Sequence, residues 1–148
     1  MKLNLGCGFR HEEGFVNIDN REECHPDLLC DLSGRLPFED NSIGEIRAFD
    51  FLEHLYPDDA IHLIEEIYRV LAPNGKFESL TPSTIGNGAF MDLHHRSFWN
   101  RCSWIYFTDD AHRELYGTKA KFKGNVQDVI TNTQLNVIHT HAVLYACK

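Results

Sequence analysis

One distance limits this chain more than any other property. A short apolar segment, Lys2 to Cys7, runs into Gly6-Cys7-Gly8. A second strand-like segment, Phe15-Val16-Asn17-Ile18-Asp19, then ends on an acid with only ten residues between it and Gly8. Glycines at the end of a strand let backbone N–H groups approach a ligand and permit positive φ. A carboxylate at the end of the second strand of an open α/β sheet can accept both hydroxyls of a ribose. Read alone, the loop is equally a plain turn, and Asp19 a cap or turn residue. The dinucleotide fingerprint needs a third glycine where His11 stands, and an acid about 20 residues further on. Between Phe9 and Gly14 there is room for one helical turn at most. The spacing therefore argues against a pyrophosphate seated on a long first helix. It leaves room for a nucleoside ligand without phosphates.

The rest of the chain reads as alternating strands and helix. Leu28 to Leu32 is a candidate third strand, and Glu45 to Phe51 a fourth, rich in β-formers. Pro57-Asp58-Asp59 starts a helix, with acids near the positive end of its dipole. Ile61, Ile64, Ile67, Tyr68 and Leu71 recur at helical spacing, and Pro73-Asn74-Gly75 makes a turn. Lys76 to Leu80 comes next as a strand, so the order implies a right-handed parallel crossover. Residues 81–118 are irregular and rich in aromatics and histidine. Val126 to Ile130 and Leu135 to Cys147 suit an antiparallel hairpin. The expected architecture is a minimal α/β fold of one domain, residues 1–148. Its sheet is mostly parallel and closed by a C-terminal antiparallel hairpin.

Composition removes several classes of function. Lys plus Arg is 14 against 22 for Asp plus Glu, a net charge of −8. Binding to nucleic acid draws on clustered cations, so a long duplex is not the expected partner. The longest purely apolar run is six residues, Ala142 to Cys147, whereas a membrane helix needs about 20. The N-terminus enters a strand directly without an apolar leader, so the expected location is cytoplasmic. Cysteines stand at 7, 24, 30, 102 and 147, an odd number with no C-x-x-C pair. That pattern suits reduced thiols better than a disulfide framework or a zinc knuckle.

Several segments in series resemble the class I S-adenosylmethionine-dependent methyltransferases. They are Leu3-Asn4-Leu5-Gly6-Cys7-Gly8, Gly14-Phe15-Val16-Asn17-Ile18-Asp19, and Cys30-Asp31-Leu32 with Leu36-Pro37-Phe38-Glu39-Asp40-Asn41-Ser42. Phe51-Leu52-Glu53-His54-Leu55 and Glu66-Ile67-Tyr68-Arg69-Val70-Leu71-Ala72-Pro73-Asn74-Gly75-Lys76 complete the series. The likeness is to a compact branch with a shortened first helix. It continues through Thr81-Pro82-Ser83-Thr84, Gly88-Ala89-Phe90, Asp92, His95 and Ser97-Phe98-Trp99-Asn100 to about residue 107. The resemblance implies a Rossmann-like sheet and S-adenosyl-L-methionine as cofactor. It implies that Gly6, Cys7 and Gly8 back the methionine and ribose, and that Asp19 takes the ribose hydroxyls with Asn20 beside the adenine. Asp31 would meet the adenine amino group, with Leu32 supplying a backbone donor, and Phe49 and Asp50 would line the methyl-transfer side. Two positions depart from the common pattern. Asn4 and Gly44 stand where many members carry an acid.

The methyl acceptor is expected to be a small molecule or a glycan. The absence of a large inserted cap suits either a small acceptor or an open site completed by a second subunit, as in a homodimer. A non-catalytic module that binds S-adenosylmethionine or S-adenosylhomocysteine is the alternative. A protein that binds NAD or a nucleotide sugar is a more distant one. Methyl transfer from a sulfonium asks the protein mainly to align the reactants and exclude water. A base matters where the acceptor must lose a proton. His95 is the candidate catalytic base, with Asp92 beside it to orient it, and a loop histidine bound to backbone is the plainer reading. His54 is expected either at the cofactor or as a helix cap. His54, Asp92, His94 and His95 carry metal-ligating chemistry, but no tight spacing singles out a metal site. Phe98, Trp99, Trp104, Tyr106 and Phe107 are read as cover for the sheet or an interface, or else as a stacking wall. His139 and His141 share one strand face and are read as solvated.

Overall fold

The computed structural model describes residues 1–148. Seven strands form one sheet: β1 (Lys2–Leu5), β2 (Val16–Asp19), β3 (Leu28–Leu29), β4 (Ile43–Phe49), β5 (Leu71–Pro82), β6 (Phe122–Asn132) and β7 (Val137–Ala146). Their order is β3-β2-β1-β4-β5-β7-β6. The first five run parallel, and β7 pairs antiparallel with both β5 and β6. The expected hairpin is therefore present, and its first strand is longer than the sequence pattern implies. The expected third strand is shorter, because Cys30 to Asn41 forms turns.

Helix α1 (Pro57–Val70) makes the crossover from β4 to β5. Proline stands at its first position and Asp58 and Asp59 in its first turn, as the start signal implied. It buries Ala60, Leu63, Ile64, Ile67 and Val70, whereas Ile61 stays exposed. Glu66 is buried among them. It accepts the Leu36 backbone N–H at 2.9 Å and pairs with Arg69 at 2.7 Å. Arg69 also donates to the carbonyls of Leu36 and Phe38. A single charge network thus pins the loop before β4 to the helix. Between β5 and β6 the chain forms short pieces only, α2 (Gly88–Met91), α3 (Ile105–Thr108) and α4 (Asp110–Tyr116).

The two faces of the sheet differ. Leu3, Leu5, Ile18, Ile46, Ala48, Phe77, Phe122, Ala142 and Leu144 belong to one core of 24 buried residues. That core also contains the buried side of α1 and Trp99, Trp104 and Phe107. On the other face no helix joins β1 to β2, and residues 9–15 form turns. A polar network stands in for that helix. Asn4 donates to the Arg10 carbonyl at 3.0 Å and to Asn17 at 2.9 Å. Asn17 in turn accepts the Glu12 N–H and binds Asp27. Farther along the same face, Lys2 and Lys76 pair with Glu45, and Lys76, Arg47 and His141 converge on Glu78. The Arg47 guanidinium lies over the Phe15 ring at 4.6 Å. Parallel sheets usually bury both faces. This one hides one face in apolar packing and crosslinks the other with ion pairs.

Candidate functional site

The strand order reverses between β1 and β4, and open α/β sheets bind ligands in the crevice beyond the carboxyl ends at such a point. A groove of about 690 Å³ lies there, within the range of small-molecule sites. Its walls come from the segments after β1 (Gly6 to Arg10), β2 (Asp19 to Arg21), β4 (Phe49 to Phe51, His54 and Leu55) and β5 (Asp92 and His94). A narrower recess of about 40 Å³ adds Asp31, Leu32 and Ser33, and it shares Gly6, Asp19, Asn20, Phe51 and Leu55 with the groove. The residues named from the resemblance thus line one continuous depression, although β1 and β4 are far apart in sequence.

Gly6 adopts φ +63°, and a Cβ there would lie 2.1 Å from the Phe51 ring. Glycine lets Phe51 pack directly on the loop. The loop is tied to β2 by Asp19, which accepts the Gly8 N–H at 2.8 Å and the Arg21 N–H at 3.0 Å, with Arg21 Nε at 3.3 Å. An ionised carboxylate offers roughly four acceptor positions. A vicinal diol on Asp19 would therefore compete with Arg21 Nε, the longest of the three contacts. Asp31 spends one oxygen on the N–H and hydroxyl of Ser33, which hold it below the usual carboxylate range. Cys7 is buried, and burial, with Asp19 next to it, pushes its thiol up to about 11. It is a packing residue, not a nucleophile.

The opposite wall begins with Asp50, a non-glycine residue at φ +50°. Its carboxylate accepts His139 Nε2 at 2.9 Å and Arg10 Nη1 at 3.0 Å, which keep it ionised and low. The strand pattern makes His139 a solvated residue, and the structure corrects this. Its side chain is only 12% exposed, because it bridges β7 to Asp50. His141 is likewise paired, with Glu78 at 2.9 Å.

Asp92 lines the groove, and its Oδ1 takes hydrogen bonds from the backbone and ring of His94. His95 stands behind this wall, with its side chain 6% exposed and Asp92 Oδ2 3.9 Å from its Nε2. The ring is oriented by its own Nδ1–H, donated to the Ala89 carbonyl at 2.8 Å. His54 lines the groove in front of it, the two rings meeting edge to face at 5.0 Å. Burial, then repulsion from His95, lowers the His54 pKa. The sequence pattern assigns no role to Glu53, which is 1% exposed with both carboxylate oxygens unpartnered. Burial, opposed by its own backbone and reinforced by Asp50 and Asp92, raises it to about 8. Glu53, His54 and His95 bring ligand atoms within 4.8 Å of one another, a grouping that only the tertiary fold creates.

The aromatic cluster lies elsewhere. Trp99, Trp104 and Phe107 are core residues, while Phe98 and Tyr106 face a second cavity of about 540 Å³ between α1 and residues 97–118. No helix is long and apolar enough to cross a membrane.

Residues 12–78 match the family model described as a methyltransferase domain. No curated protein sequence matches the chain. Among solved structures, a SAM-dependent methyltransferase from Archaeoglobus fulgidus superposes with a TM-score of 0.70 at 16% identity, over 98% of this chain and 85% of that one. The 1,6-didemethyltoxoflavin-N1-methyltransferase of Burkholderia thailandensis, solved with bound 1,6-didemethyltoxoflavin and S-adenosylhomocysteine, gives 0.65 at 13% identity, over 99% and 71%. The [4+2]-cyclase SpnF gives 0.68 at 15%, over 99% and 74%. At these identities the likeness shows the fold. The sheet is the Rossmann-like sheet of the class I methyltransferases, and the resemblance carried by the sequence motifs stands.

Proposed function

We propose that this chain, built on the class I methyltransferase fold, binds S-adenosyl-L-methionine and transfers a methyl group to a small-molecule or glycan acceptor. The observation that carries the reading is the convergence of Gly6 to Gly8, Asp19, Asn20, Asp31, Leu32 and Asp50 on one depression. The residues suit the cofactor on their own chemistry. Gly6 and Gly8 give a ligand close access to backbone, Asp19 retains acceptor capacity, and Asp31 Oδ2 is free for an amino donor. Asp19, Asp50 and Asp92 line the groove, the first two paired with Arg21 and Arg10, so that Asp92 is the acid there without an arginine partner. Bound there, the cofactor would supply an electrophilic methyl group with a thioether as leaving group.

The chain's own residues divide the remaining work. Asp19 and the glycine loop hold the ribose side, while the Asp31–Leu32 recess takes the base. Phe49, Asp50 and His54 bound the space left for the acceptor. His95, with Asp92 at the rim, is the proton-handling group of this reading, and His54, whose pKa burial lowers, stands between it and the groove. The single core cluster supports one domain across residues 1–148. A dinucleotide fits this site less well, since no helix N-terminus comes after β1 to receive a pyrophosphate.

Calorimetry with S-adenosylmethionine, S-adenosylhomocysteine and NAD, on wild type and Asp19→Ala, tests the reading. Saturable binding of the first two, lost in Asp19→Ala, is expected. Binding of NAD alone would overturn it. Cofactor binding with no methyl transfer across acceptor classes would leave the chain a binding module.

A further inference from the structure

Glu53 is a buried acid that cofactor binding and methyl transfer do not use. It sits in the 3-10 turn after β4, and that turn is fixed, because its backbone carbonyl accepts the N–H groups of Arg96 at 2.7 Å and Ser97 at 3.1 Å. Its side chain is therefore held in place and shielded from water, yet neither carboxylate oxygen has a donor. An unpaired buried charge takes a large share of the stability that a domain has to spare. Proteins avoid that cost by pairing the group, by keeping it protonated or by giving it a metal ion.

The neighbours of Glu53 suit a metal ion. His54 and His95 each place a ring nitrogen within 4.8 Å of the carboxylate and of each other. His95 donates its Nδ1–H to the Ala89 carbonyl at 2.8 Å, which fixes the tautomer and leaves a lone pair on Nε2. A metal-ligating histidine characteristically spends its other nitrogen in this way, on a carbonyl or a carboxylate. Asp92 Oδ2, 3.9 Å from His95 Nε2, adds an oxygen at the rim, and His54 and Asp92 open the cluster to the groove.

We infer that Glu53, His54 and His95 form a site for one divalent transition-metal ion of the zinc type, open toward the groove. Two imidazoles and a carboxylate are borderline donors that suit zinc, cobalt, nickel or iron, whereas magnesium and calcium take all-oxygen sets. The ion compensates the unpartnered carboxylate of Glu53. The inference stands whether or not the chain transfers methyl groups. If it does, an ion here would lower the pKa of an acceptor oxygen that it held, in place of the imidazoles acting as base.

Protein freed of metal by chelation and desalting is to be titrated calorimetrically with Zn²⁺ and with Mg²⁺. Absorption on adding Co²⁺ reports the ligand field. One Zn²⁺ per chain, no comparable Mg²⁺ binding, and visible Co²⁺ bands of a low-coordinate site are expected. His95→Ala and His54→Ala should each weaken Zn²⁺ on the order of 100-fold, as loss of a direct ligand implies. Glu53→Gln should do the same where circular dichroism shows it folded. His112→Ala, at an exposed histidine outside the cluster, should bind as wild type does. Absence of stoichiometric Zn²⁺ binding overturns the inference. So does Zn²⁺ binding that survives both His54→Ala and His95→Ala, since the ion would then sit elsewhere.

Discussion

The two faces of the sheet solve the same problem with different physics. Behind Phe77 the sheet is sealed by α1 and by Trp104 and Phe122, whose rings meet Phe77 at 5.9 and 6.0 Å. In front of Glu78, one residue on, the sheet carries no helix, and Lys76, Arg47 and His141 gather on the carboxylate. The first face removes apolar area from water, which is where most folding free energy comes from. The second makes a helix unnecessary by leaving little that is apolar to cover. A chain of this length can omit the helix between β1 and β2 because Asn4, Asn17 and Asp27 satisfy the backbone that the helix would have ordered. The omission also leaves the glycine loop held to β2 by two bonds, Cys7 N–H to the Ile18 carbonyl and Gly8 N–H to Asp19, beside the groove that it lines.

Substitutions on the two faces should accordingly differ several-fold in cost. Phe77→Ala removes a fully buried ring from the core. It should cost about 3–5 kcal/mol, seen as a lower urea midpoint. Glu66→Gln, where charge is buried on the packed side, should cost about 2 kcal/mol, because Arg69 keeps its carbonyl partners. Hydrogen bonding by Arg69 holds the Glu66 carboxyl below its ordinary value. Its contribution is thus present above about pH 4.5, the unfolded value, and is lost as pH falls through the lower folded value. The stability gap between wild type and Glu66→Gln should close in acid, and a gap that widened there would refute the assignment. Glu78→Gln on the open face should cost less than Glu66→Gln, because its partners Lys76, Arg47 and His141 stay in reach of water, and raising the salt to about 1 M should shrink the cost further. An effect as large as that of Phe77→Ala would mean that the ion-pair face is a second core.

Much of this is legible in the chain itself. The distance from Gly8 to Asp19 rules out a long first helix, and Pro57-Asp58-Asp59 marks where α1 begins. These are local signals, set by turn chemistry and capping. The open face has a local signal as well, the alternation Glu45-Ile46-Arg47-Ala48 and Lys76-Phe77-Glu78-Ser79, which is unusual in parallel strands. It marks a strand readily, and the exposure of one face less readily, since a covering helix is the rule there. The hidden part is long-range. His139 looks solvated in the sequence because its partner Asp50 is 89 residues away. Asp92 looks like the residue that orients His95, whereas the Ala89 carbonyl does so. Glu53 and His95 meet only because the Arg96 and Ser97 N–H groups close on the Glu53 carbonyl. No spacing in the sequence encodes that contact.

An experimental structure of the protein with S-adenosylhomocysteine would decide most directly whether the depression at the strand crossover is the cofactor site. The ribose hydroxyls should lie on Asp19 with Arg21 Nε displaced, and the base in the recess of Asp31 and Leu32. Ligand in the aromatic cavity beside α1, or a groove that stays empty at saturating ligand, would contradict the assignment.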